Sequence, residues 1–189
     1  MLDRIIEIDT QLLIFINNLG TEQWDGFWLF MSAKWASIPL YCIVLYFMFK
    51  HLGTKKALFA LLFIGILIAM SDQTSNLFKY GFERLRPCHN ESIKDLIRLV
   101  KPSCGGKYAF FSAHASTSVV IAVFCSLLLS SSERYLPYGL IAFAVLVGFS
   151  RIYLGVHFPF DVLFGFFIGA SYAYLMYKLY NWMAKKYDW

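Results

Sequence analysis

The sequence predicts an all-α, polytopic membrane protein: one domain over residues 1–189, with an N-terminal amphipathic interfacial helix and about five transmembrane helices. Three observations predict it. Hydrophobic residues make up 59% of the chain and charged ones only 15%, well to the apolar side of a soluble domain. Apolar runs recur at roughly the 20-residue length that a bilayer-crossing helix needs. The basic residues behind the net charge of +5 fall between those runs. No basic helix or aromatic RNA-binding motif accompanies them, which sets nucleic acid aside and favours an anionic lipid as partner.

Residues 2–19 interleave Ile5, Ile6, Ile8, Leu12, Leu13, Ile16 and Leu19 with Asp3, Arg4, Glu7 and Asp9. That alternation suits a helix lying in an interface rather than crossing it, and the interfacial segment is taken as 1–26. Spans follow over 27–49, 57–78, 115–129, 135–149 and 158–180. The first is broken only by Lys34, Ser and Pro, and the second turns polar from Ser71 to Asn76. Between the second and third spans, 79–111 reads as one long polar loop. Met1-Leu2-Asp3-Arg4 carries acid where a cleavable signal peptide has its basic region, so the first membrane helix is expected to direct insertion.

Lys and Arg near span ends tend to stay cytoplasmic. The linker 50–56, Arg134 and the tail residues Lys178, Lys185 and Lys186 share one face, and the acidic N-terminal segment takes the other. The loop 79–111 then lies outside the cytoplasm, on the periplasmic face of what is expected to be a bacterial inner membrane. Its basic character breaks the charge rule, and a functional demand for positive charge explains the exception. Cys88 and Cys104 both fall in this loop, where oxidation is possible, and a disulfide between them is expected. Cys42 and Cys125 fall within spans, as packing residues.

Mapping polar residues onto alternating helices brings eight of them to one face. Lys79 and Arg86 end the second span, Ser112 and His114 start the third, Ser150 and Arg151 end the fourth, and His157 and Asp161 start the fifth. Simple anchoring would scatter such residues over both faces.

At these positions the chain resembles the type-2 phosphatidic-acid phosphatase family, which shares a superfamily with class A acid phosphatases and vanadium haloperoxidases. Lys79 and Arg86-Pro87 match its first motif, Lys, six residues, Arg-Pro. Phe111-Ser112-Ala113-His114 stands where the family has Pro-Ser-Gly-His, keeping Ser and His. Ser150-Arg151, His157 and Asp161 complete the third motif. The two departures bear on backbone geometry beside the phosphate, although Ala113 is the smallest replacement for Gly.

The residue types fit phosphoryl transfer, which rests on positioning and on stabilising charge over the equatorial oxygens. Lys79, Arg86 and Arg151 supply positive charge, and Arg can grip two phosphate oxygens at once. Ser112 and Ala113, at a helix start, add a hydroxyl and free backbone amides. Pro159 suits the first position of a helix, leaving His157 just outside it, with Asp161 reaching back to the imidazole. His157 is thus the expected nucleophile, Asp161 its orienting partner, and His114 the group that protonates the leaving alkoxide and then activates water. The resemblance implies the same roles. No metal is expected, because the acids do not cluster and no Cys/His zinc spacing occurs. No cofactor is expected either.

Taken singly, each residue has a plainer reading. Lys79 and Arg86 can be juxtamembrane anchors, Ser112 and Ser150 helix ends, Arg151 and Asp161 a structural ion pair, and the histidines interfacial polar groups. Asp72 lies within an apolar run, where charge is costly and usually functional. With Gln73, Thr74, Ser75 and Asn76 beside it, a structural polar patch is the favoured reading. The joint pattern points to a membrane phosphatase acting on a lipid phosphate such as undecaprenyl pyrophosphate, phosphatidylglycerophosphate, phosphatidic acid or lipid A. Its rivals are a vanadium haloperoxidase, which bound vanadium would reveal, and a non-catalytic lipid transporter or scaffold, which would release no phosphate.

Overall fold

The computed structural model describes residues 2–187, and its regular structure is helical throughout. Six helices follow in order: α1 (Leu2–Asn18), α2 (Glu22–Ser32), α3 (Ile38–Phe82), α4 (Ala113–Leu129), α5 (Leu136–Tyr153) and α6 (Pro159–Lys186). Short 3-10 turns precede α3 and punctuate the connection from α3 to α4. Among the described residues α3, α5 and α6 are long and apolar enough to cross a bilayer, and α4 is an apolar helix one residue short of that class.

Helix α3 is a hairpin of two spans. Gly53 breaks it at φ 74° and ψ 168°, a conformation closed to residues with a Cβ. Lys34 and Tyr41, from before the break, line the same cavity as Asp72 and Ile68 from after it. Met48 and Ala57, nearer the break, pack in one buried cluster. The two halves therefore run antiparallel, and with α4, α5 and α6 they make five apolar helical segments.

Helix α4 is the centre of the bundle and packs on α3, α5 and α6. Its approach to α6 is set by small residues one turn apart: a Cβ at Gly165 would lie 2.8 Å from the Ser112 carbonyl oxygen, and one at Gly169 2.5 Å from that of Ser116. Such spacing lets helix backbones close up without a hydrophobic drive, which lipid does not supply. At the hinge end, His51 Nε2 meets Glu133 Oε1 at 2.8 Å and Tyr180 donates to the Lys56 carbonyl at 3.1 Å. The core near that end is aromatic, built on Phe63, Phe124 and Tyr180.

Two boundaries need correction. The first span does not run over 27–49, since α2 ends at Ser32 and the membrane helix begins at Ile38. The loop does not begin at 79, because α3 continues to Phe82 and carries Lys79 in its last turn. Helix α1 (Leu2–Asn18) forms where the amphipathic helix is expected. Ile5, Ile6, Ile8 and Leu12 are exposed, whereas Asp9, Leu13 and Asn17, each one turn from the next, are buried. The stripe that meets the protein is mixed: Leu13 packs in it, and Asp9 and Asn17 hydrogen-bond from it, while Arg4, Glu7 and Gln11 stay exposed. Asn17 Nδ2 donates to the carbonyls of Arg98 (3.0 Å) and Tyr153 (2.7 Å), while its Oδ1 accepts from the Arg98 N–H at 2.6 Å. Cys125 is buried as a packing residue, but Cys42 is exposed.

Gly169→Ala should destabilise the protein by about 1–3 kcal/mol, the usual cost of overpacking, because Ser116 backbone cannot yield as a side chain tip does. Gly65→Ala, where nothing lies within 4 Å, should be neutral or stabilising by up to ~1 kcal/mol. Thermal unfolding of the two variants in detergent measures the difference, and equal midpoints would contradict the close α4–α6 approach.

Candidate active site

The sequence folds so that helix ends deliver the motif residues to the end of the bundle opposite the Gly53 hinge. Pro159 opens α6, and Asp161 falls at its third position, where a carboxylate can cap free N–H groups. Its Oδ2 accepts from the Phe158 N–H at 2.9 Å and lies 3.4 Å from His157 Nδ1. Its Oδ1 accepts from Arg84 Nη1 at 2.9 Å. Both Asp161 and His157 are buried. Burial, reinforced by the charges of Arg151, Arg86 and Lys79, holds the His157 imidazole well below its ordinary pKa. The neutral ring, with a lone pair to offer, is therefore its resting form near neutral pH.

Arg84 was not singled out by the sequence. Its second arm, Nη2, donates to Asp9 Oδ2 at 2.7 Å, and its guanidinium lies over the Phe158 ring, 3.9 Å from the centroid. Asp9 in turn accepts from the Phe160 N–H at 2.8 Å. Burial pushes the Asp9 carboxyl above the ordinary range, opposed by the Phe160 N–H and by Arg84. One guanidinium thus joins α1 to the first turn of α6. Two signals pointed there: Arg84 sits two residues before Arg86 in the first motif, and Asp9 shares a helix face with Leu13 and Asn17.

Arg151, in the last turn of α5, is buried. Its Nη1 donates to Ser32 Oγ at the end of α2, and its Nε has no hydrogen-bond partner among the described residues. A buried cationic donor left unpaired is costly, and a bound anion would satisfy it. Lys79 is half-buried in the last turn of α3 and interacts electrostatically with Arg86, Arg151, Asp72 and Asp161. Arg86 is partly committed to the loop, donating from Nη1 to the Cys104 carbonyl (2.6 Å) and from Nε to that of Tyr108 (3.2 Å). Cys88 and Cys104 are paired beside it, with Cα atoms 6.1 Å apart.

Ser112 caps α4, its Oγ accepting from the Ala115 N–H at 3.5 Å while its own N–H donates to the Asp161 carbonyl at 3.1 Å. Its hydroxyl proton remains to donate. Ala113 begins the helix, and His114 beside it is the exposed member of the site. Arg151, His157, Lys101 and Arg86 all act on it electrostatically, so Lys101 from the long loop is a further cation absent from the motifs. Ser150 does not join the group, since its Oγ bonds the Val147 carbonyl one turn back at 2.6 Å. Among the described residues no three His, Cys, Asp or Glu side chains group as a metal-binding set.

His114 opens onto a cleft of about 500 Å³ between the helices, with Ser32, Lys34, Asp72 and Thr117 among its polar walls and Ile68, Ile121 and Phe143 among its apolar ones. A neutral histidine oriented by a carboxylate, a cluster of cations, and a second histidine at a cleft mouth form an arrangement that can transfer a phosphoryl group from an amphipathic donor.

The chain is similar to several known proteins. The chain is 32% identical to the lipid A 4'-phosphatase of Porphyromonas gingivalis over 95% of its own length and 75% of that protein's. It is 34% identical to the lipid A 4'-phosphatase of Bacteroides thetaiotaomicron over 94% of its length and 79% of the relative's. The crystal structure of Aquifex aeolicus LpxE superposes with a TM-score of 0.68 at 26% identity, covering 89% of this chain and 93% of that one. A profile described as PAP2 superfamily matches residues 56–185. The matched stretch takes in α4, α5, α6 and the second half of α3 together with every motif residue, and the chain therefore belongs to the PAP2 superfamily.

Proposed function

We propose that this chain is an integral-membrane phosphatase that removes a phosphate from the sugar headgroup of a lipid A-type glycolipid, through a phosphohistidine at His157 and without a metal ion. The observation that carries the reading is Arg151 Nε, a buried guanidinium nitrogen without a protein partner, in a residue whose carbonyl accepts the His157 N–H at 3.3 Å. The glycolipid is chosen because two relatives matched along nearly the whole chain are lipid A 4'-phosphatases. A transporter would line a path across the bilayer with polar groups, whereas here the core between the motif residues and the hinge end is closed by aromatic packing.

In this reading Lys79, Arg86, Arg151 and the Ser112 hydroxyl hold the phosphate oxygens, with Ala113 contributing its backbone amide at the α4 N-terminus. Asp161 holds the His157 Nδ1 proton, and Nε2 attacks phosphorus. As the bond from phosphorus to the sugar oxygen breaks, His114 gives that oxygen a proton. His114 then takes a proton from water, whose oxygen attacks the phosphohistidine, and inorganic phosphate leaves with His157 restored. The charge of the transition state is met by side chains of the protein. Hydrolysis should therefore proceed fully in excess chelator, with vanadate or phosphate competing against substrate. A strict requirement for an added divalent ion contradicts this.

The two histidines should separate cleanly. His157→Ala should abolish both turnover and acid-quench-trapped phosphoenzyme. His114→Ala should lower turnover by roughly 10²–10⁴-fold, the usual worth of general acid–base catalysis, and an aryl phosphate should rescue it more than an alkyl phosphate. Trapped phosphohistidine on His157→Ala, or leaving-group rescue of His157→Ala but not His114→Ala, would show the roles to be reversed.

We also place the site on the extracytoplasmic face of a bacterial inner membrane. The hinge end carries Lys50, Lys55, Lys56, Arg134, Lys178, Lys185 and Lys186, the pattern of a cytoplasmic surface. A cysteine at position 107 should react with an impermeant thiol reagent added to spheroplasts. Labelling only after the membrane is breached would invert the orientation.

A further inference from the structure

Asp72 has no part in the proposed mechanism, although it sits in a membrane helix. It makes no direct hydrogen bond or ion pair among the described residues, and neither does the Lys34 ammonium; both side chains are exposed and both line the cleft that His114 opens onto. Ionisable groups at membrane level are costly and mark substrate paths, so two of opposite sign in one cleft call for a reason.

The register of the cleft supplies it. Five elements each turn one face inward. Along α4, His114 and Thr117 give way to Ile121; along the second half of α3, Asp72 gives way to Ile68; and Lys34 and Ser37 give way to Tyr41. At 1.5 Å per residue, the apolar residues lie about 6–10 Å farther from the catalytic end than the polar ones. Helix α5 runs the other way and contributes Phe143 and Val147, both on the hinge side of Arg151. The cleft therefore has a polar rim level with His114 and an apolar floor beneath it. The rim is tied to the phosphate site, because Ser32, in its wall, accepts from Arg151 Nη1.

We infer that Lys34 and Asp72, with Thr117, form a leaving-group subsite that recognises a hydrogen-bonding headgroup of the sugar or amide class while an acyl chain occupies the apolar floor. Asp72 accepts from headgroup hydroxyl or amide N–H groups, and Lys34 donates to headgroup oxygens from the facing wall. The inference rests on the lipid phosphatase reading and deepens it: the cations around His157 bind what every phosphate ester shares, and this rim distinguishes one leaving group from another.

The test compares kcat/KM of the full-length protein in mixed micelles for two substrates with matched acyl chains: a monophosphorylated, acylated glucosamine disaccharide, and phosphatidic acid, whose leaving group is a diacylglycerol. Asp72→Ala and Lys34→Met should lower kcat/KM for the glycolipid phosphate by roughly tenfold or more, as expected for loss of a charged hydrogen bond, and should lower the glycolipid-to-phosphatidic acid ratio by a similar factor. Asp72→Asn, nearly isosteric, guards against a folding defect and should lower the ratio by a smaller factor. If the variants depress both substrates equally, or leave the ratio as in wild type, the subsite is overturned while the phosphatase reading stands. Wild type that hydrolyses neither lipid would overturn the phosphatase reading and the subsite with it.

Discussion

The structure turns on the Asp161 carboxylate. It is fully buried at the start of α6, and each oxygen is engaged: one by Arg84, the other by the Phe158 N–H and, at longer range, by His157. A buried carboxylate without such partners would be neutralised or would expel the fold around it. Each partner also constrains an element. Phe158 fixes the N-terminus of α6, His157 the connection from α5, and Arg84 the segment after α3. Through Arg84, Asp9 fixes α1 across the bundle end. The group that orients the histidine is thus also the junction where four parts of the chain meet.

Two physical demands compete at this end. The cations and histidines must be dry enough for their charge to act strongly, yet a bilayer-embedded bundle has little backbone or water to satisfy them. The fold resolves this with peripheral elements rather than with the spans. The loop after α3 gives carbonyls to Arg86 and Asn17, α2 gives Ser32 to Arg151, and α1 gives Asp9 to Arg84. Helices α4 and α6 close up through Gly165 and Gly169, so that Ser112 at the start of one bonds Asp161 at the start of the other.

Much of this was legible in the chain. Helical class, five apolar segments and the convergence of Lys79, Arg86, Ser112, His114, Arg151, His157 and Asp161 at one end follow from hydropathy and alternation, because in lipid a helix is nearly the only open choice for the backbone. The errors have physical causes. The first span is placed too early because the apolar stretch Phe27 to Met31 in α2 runs on towards the next helix, and only the end of α2 at Ser32 separates the two. Ser150 looked like a site residue because alternation fixes the level of a residue along the bundle but not its azimuth. Amphipathicity of α1 says that two faces differ, and the structure adds that Asp9 and Asn17 meet protein.

What the sequence determined by itself was therefore one-dimensional: which segments are helical, which ends they share, and which chemical groups arrive there. Tertiary structure decided which groups face one another. Arg84 bridges Asp9 and Asp161 across sequence separations of 75 and 77 residues, and Ser32 reaches Arg151 across 119. No local periodicity encodes such pairings, because they depend on the rotation of each helix about its axis and on the closeness of its neighbours. Those quantities are set by side-chain packing among all the helices together.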